Sequence, residues 1–69
     1  MDMAEELGRR VKEHRTRLHL SQVEAAGYLG VSVRALQTWE AGISVPRAKH
    51  RRALERFLRA DVIELEESA

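Results

Sequence analysis

Sixty-nine residues without a cysteine make one small domain that no disulfide or Cys-ligated metal can staple, so helix packing or association must hold it. No apolar run approaches the roughly 20 residues of a membrane span, and the N-terminus lacks the apolar stretch of a signal peptide; a soluble, cytoplasmic chain is expected. The formal net charge of +1 points to no partner by itself.

The distribution of that charge says more. Residues 1–8 carry −3, residues 9–19 carry +4, residues 20–46 carry −1, residues 47–59 carry +5 and residues 60–69 carry −4. Two basic blocks flank a nearly neutral middle, with acidic ends outside them. Such a layout suits a surface that straddles a groove with phosphates on both sides.

In chain order, Met3, Leu7, Val11, His14 and Leu18 recur at helical spacing and predict an amphipathic helix from about Met3 to Leu18. Gly8 inside it costs on the order of 1 kcal/mol relative to alanine. His14 lies in the apolar stripe with no ligand partner at metal spacing, which predicts a partly buried, hydrogen-bonded histidine. Leu20 packs as the chain turns. Ser21 followed three residues later by Glu24 is a capping box and opens a second helix. Within it Ala25, Ala26 and Leu29 face inward with Val23 at their edge, while Gly27 and Tyr28 face outward.

Gly30 can take the left-handed conformation that stops a helix, and Ser32 can cap the next one. Two short helices joined by a few residues with Gly in the turn form a helix-turn-helix. The helix after Ser32 has two faces. Leu36 and Trp39 fall together, flanked by Ala35 and Glu40, whereas Val33, Arg34, Gln37, Thr38 and Ala41 fall opposite. The first face anchors; the second carries groups that can reach base edges in a major groove. A loop, Ile43-Ser44-Val45-Pro46, precedes a helix from Arg47 or Ala48 to Arg59, since proline suits a helix start. Its inner face is His50, Ala53, Leu54, Phe57 and Leu58; Lys49, Arg52, Arg56 and Arg59 face outward. Val62, Ile63 and Leu65 among acids fit a short last helix or a dimer seam, with residues 66–69 fraying. A single domain over residues 1–69, with its core at about 4–65, is expected.

With Leu20-Ser21-Gln22, Leu29-Gly30-Val31-Ser32, Trp39-Glu40 and Gly42 before Pro46, the chain resembles the Cro/repressor-type (XRE-like) helix-turn-helix family over residues 7 to 65. Each element alone is weak; together, at these spacings, they are specific. The resemblance implies an all-α, lambda-repressor-like domain of four or five helices that binds double-stranded operator DNA, usually as a homodimer, and regulates transcription, most often by repression. It places base readout on Val33, Arg34, Gln37 and Thr38, and a phosphate contact on Gln22. It matches Arg15 and Glu40 to an internal ion pair. The residues add that Ser21, Gln22, Arg47 and Lys49 stand near helix starts, where phosphate oxygens are well received. Phe57, Val62, Ile63 and Leu65 are the candidate dimer seam.

Three departures from the family stand out. His19 stands where glycine is common, Ala25 replaces a larger aliphatic, and Arg51 and Arg52 fall where leucines are usual, which bears on how the last helices pack. No constellation for catalysis is present: the histidines at 14, 19 and 50 are scattered and there is no Gly-rich phosphate loop. No enzyme activity, cofactor, metal, membrane partner or small-molecule ligand is expected. The rival reading is a helical protein-interaction module, an adaptor or antitoxin-like partner. It needs exposed apolar anchors, and the best of them, Trp39, is phased toward the core.

Overall fold

A computed structural model describes residues 2–68, with side chains as far as Arg59. It contains four helices, α1 (Met3–Arg17), α2 (Gln22–Leu29), α3 (Val33–Glu40) and α4 (Ala48–Ser68), and no strand among the described residues. The fold is all-α. None of these helices is long and apolar enough to cross a membrane.

Each of the first three helices starts on a short polar side chain that accepts from an otherwise orphaned amide. Asp2 accepts from Ala4 N and Ser32 from Ala35 N, while Ser21 and Glu24 complete a reciprocal capping box. The Glu24 carboxyl is held below the ordinary carboxylate range, first by the Ser21 backbone amide and then by the Ser21 hydroxyl. The same three helices end alike, with a left-handed residue and a backbone amide returning into the last turn. Val31 N donates to Ala26 O and Ile43 N to Thr38 O, each at 3.0 Å, after Gly30 (φ 69°) and Gly42 (φ 75°). At the end of α1, Leu20 N donates to Arg15 O and His19 N to Thr16 O, both at 3.0 Å. Here the left-handed residue is His19, at φ 60°, so the turn that glycine makes freely is made by a residue with a Cβ.

The core is Val11, Ala25, Ala26, Leu29, Leu36, Trp39, Leu54 and Phe57. His14 is buried beside it, its ring edge-on to Phe57 at a centroid distance of 5.0 Å. Ala25 is fully buried; its small size lets α2 lie close on its neighbours. Two positions differ from the helical pattern. Met3, first in the α1 stripe, is 78% exposed, and Val23 is 66% exposed rather than at the edge of the inner face.

Gly8 explains itself in the packing. A Cβ there would collide with the carbonyl oxygen of Trp39 and lie 3.1 Å from that of Glu40. The bare backbone of α1 thus rests against the last turn of α3, and α1 and α3 form the most extensive helix pair of the domain. The local helix cost of glycine is offset by a contact no other residue permits.

Beyond the loop, Pro46 is buried, and Arg47 O accepts the first helical bond of α4 from Arg51 N at 3.0 Å. The helix expected to stop at Arg59 continues to Ser68. No glycine or proline stands between Arg47 and Ala69 to end it, and a separate short last helix does not form. Arg51 and Arg52 are exposed and Leu54 is buried; the arginines where leucines were usual lie on the solvent side. Phe57, a candidate for the dimer seam, is buried in the domain's own core. The side chains of Val62, Ile63 and Leu65 lie outside the described residues.

Candidate nucleic-acid interface

α3 divides as its periodicity requires. Leu36 is fully buried and Trp39 5% exposed, while Arg34, Gln37 and Ala41 are exposed in one ridge. Thr38 and Val33, both half-buried, form the two rims. Val33 packs against the core cluster, because at 100° per residue it lies nearer Glu40 than Arg34. The outward surface is therefore narrower than the sequence pattern suggested, and it is carried by Arg34 and Gln37.

Behind this ridge runs a polar network. Arg15 Nε donates to Glu40 Oε2 at 2.6 Å and Nη2 to Glu40 Oε1 at 3.0 Å, a two-pronged pairing. Arg15 Nη1 donates to Leu20 O at 2.9 Å. Only 12% of the Arg15 side chain and 5% of that of Glu40 are exposed. The Arg15 pKa is raised, chiefly by the hydrogen bonding to Glu40, with burial opposing and the charge of Glu40 adding to the rise.

The network reaches the surface through two amides. Gln22 Nε2 donates to Glu40 Oε1 at 3.1 Å, and Gln37 Nε2 donates to Gln22 Oε1 at 3.3 Å. An ionised carboxylate only accepts, so Glu40 dictates which way Gln22 points, and Gln22 in turn dictates the orientation of Gln37. Gln37 is left with its Oε1 and one N–H to present, the pair that matches the N6 and N7 edge of adenine. Gln22, expected to hold a phosphate, is half-buried and engaged here; one N–H of its amide and the free backbone amides at the start of α2 remain for an anion.

At the far rim lies a second, shorter chain of bonds. Thr38 Oγ1 donates to Ala35 O at 2.8 Å and accepts from the Ser44 hydroxyl at 3.0 Å. Ser44 follows from no periodic pattern; the Gly42 turn brings it back against α3. Ile43 beside it is 75% exposed.

Of the remaining predicted residues, Ser21 is exposed, with its oxygen accepting from Glu24 N at 3.0 Å. Arg47 and Lys49 are exposed at the start of α4. Arg34 makes no ion pair or side-chain hydrogen bond among the described residues. Arg15, Glu40, Gln22 and Gln37 are thus brought into one cluster, with Arg34 beside it on the same ridge as Gln37.

A protein-family model described as helix-turn-helix matches residues 11–65, most of the chain. No curated protein and no solved structure matches.

Proposed function

We propose, since the chain belongs to the XRE-type helix-turn-helix family of DNA-binding transcription regulators, that it binds double-stranded DNA sequence-specifically, with α3 in the major groove. The observation that carries this reading is the exposed Arg34–Gln37 ridge, backed by the buried Arg15–Glu40 pair through Gln22. A reading surface must be held still to discriminate between bases, and Gln37 is tied to the scaffold through Gln22 by directed hydrogen bonds. Arg34 is the reader of guanine, through two parallel bonds to O6 and N7. Arg47, Lys49, Ser21 and the start of α2 hold phosphates and set the register.

One recognition helix spans few base pairs, so the working form is a homodimer reading half-sites about one helical turn, ~34 Å, apart. Occupation of such a site excludes other proteins from the same groove, which is sufficient for repression. The working location is the cytoplasm, on the nucleoid.

Selection of bound sequences from a random duplex pool tests the reading directly, because it returns the half-site and its spacing. Arg34→Ala is then expected to cost about 1–3 kcal/mol on the selected site and to relax one base position, while Lys49→Ala weakens all duplexes alike and lowers the salt slope by about one unit. If Arg34→Ala reduces affinity for selected and scrambled duplexes by the same factor, Arg34 is a phosphate contact. If the pool yields no preferred sequence, the sequence-specific reading is wrong. Sedimentation of one chain per selected site, with no inverted repeat, would defeat the dimer.

A further inference from the structure

Thr38 presents a hydroxyl and a methyl, and the hydrogen-bond geometry separates them. A carbonyl has no hydrogen to give, so the 2.8 Å bond to Ala35 O uses the only hydroxyl hydrogen of Thr38. Ser44, 3.0 Å away, must then be the donor in the second bond and fills one of the two lone pairs of Thr38. The hydroxyl is engaged on both sides, by its own helix and by the returning loop. Thr38 is half-buried at the rim of the exposed ridge, and with its hydroxyl engaged the γ-methyl is the part of the side chain without a bonding partner.

We infer that Thr38 is a specificity residue that reads the 5-methyl group of thymine, with Ser44 as the positioning residue that holds its hydroxyl out of the interface. The inference rests on the DNA-binding reading above and deepens it. Apolar contact is the only readout that distinguishes thymine by its methyl, and a threonine methyl is a suitable partner for it. A hydroxyl in the same place would accept or donate indiscriminately among several base edges. The two bonds convert a polar residue into an apolar reader without placing an unpaired hydroxyl in the interface.

The test is a comparison of two near-isosteres on one duplex. Thr38→Val keeps the methyl and removes the hydroxyl; Thr38→Ser does the reverse. Both are titrated against the selected site and against duplexes in which each thymine in turn is replaced by deoxyuridine. Thermal melts confirm that each variant is folded under the assay conditions. Thr38→Val is expected to bind the selected site within about twofold of the parent, whereas Thr38→Ser loses about fourfold per half-site, the factor that burial of one methyl group is worth. One deoxyuridine position per half-site is expected to cost the parent the same factor and to cost Thr38→Ser nothing further. Val33→Ala should leave that deoxyuridine penalty in place, which assigns it to Thr38 and not to the other apolar rim residue.

Loss on Thr38→Val with no loss on Thr38→Ser would overturn the inference, since the hydroxyl would then be the reading group. A deoxyuridine penalty that persists in Thr38→Ser would overturn it too. In both cases the parent still prefers its selected site, so the DNA reading stands. Absence of any preferred duplex for the parent overturns both together.

Discussion

Removal of the Glu40 carboxylate tests the internal pair most severely. In Glu40→Ala the Arg15 guanidinium loses both of its bonds to the carboxylate and keeps only Leu20 O, and Gln22 Nε2 loses its acceptor. With 12% of the arginine side chain and 5% of the glutamate exposed, water reaches the orphaned charge poorly. Breaking one partner of a buried pair costs roughly 3–5 kcal/mol, against a total of about 5–15 kcal/mol for a typical native protein. A domain of this size stands at the low end of that range, so Glu40→Ala should leave a substantial unfolded fraction at room temperature. Arg15→Met strands the carboxylate instead and should cost a similar amount. The double change leaves no buried charge, so its cost should fall at least about 2 kcal/mol short of the sum. Urea melts of the parent, both single variants and the double provide the cycle. Additive effects of under about 1 kcal/mol each, the value of an exposed pair, would refute the argument.

Three further changes separate local from tertiary effects. His19→Gly relieves a left-handed residue, and after the added chain entropy of glycine it should stabilise the domain by about 0.5–1 kcal/mol, a rise in Tm of about 2–8 °C by thermal melt. Gly8→Ala should act against helix propensity: about 1 kcal/mol is gained locally, but a Cβ pressed on the Trp39 carbonyl costs about 3 kcal/mol, so urea melts should show a net loss of roughly 2 kcal/mol. The depressed Glu24 pKa means that its capping box stabilises above the ordinary carboxylate range and that this contribution is lost as pH falls through the lowered value. Glu24→Gln should remove that part of the acid dependence in urea melts across a pH series, leaving stability near neutral pH only slightly reduced.

Legibility in the sequence followed the range of the interactions. The caps at Ser21 and Ser32 and the stop at Gly30 act within a few residues, and all three stand where spacing put them. The two faces of α3 follow from periodicity, and strict phase already puts Val33 at the rim, about 20° from Glu40, and not among the outward residues. The Arg15–Glu40 pair spans 25 positions; family resemblance points to it, and helical phase adds only that both residues lie at the rims of their inner faces. Gly8 was legible as a cost and not as a contact, because its partner is a backbone carbonyl 31 residues away in sequence. The bond from Gln37 to Gln22 and that from Ser44 to Thr38 left no periodic signal. The length of α4 could have been anticipated from the absence of any helix-stopping residue after Pro46.

The ridge on α3 takes almost no part in holding the domain together. Arg34 and Ala41 are exposed, and the Gln37 side chain is joined to the rest by a single hydrogen bond. Substitutions at exposed positions away from packed or paired groups usually change stability by less than about 0.5 kcal/mol. Stability and the proposed base preference thus rest on different residues of the same short helix. A pool of variants randomised at 34, 37 and 41, with proline and glycine left out, would remain almost wholly folded, so on the proposed reading its members would differ in what they bind and hardly at all in whether they survive. On the proposed reading, selection can then move the chain from one target to another by single steps, without passing through unfolded intermediates.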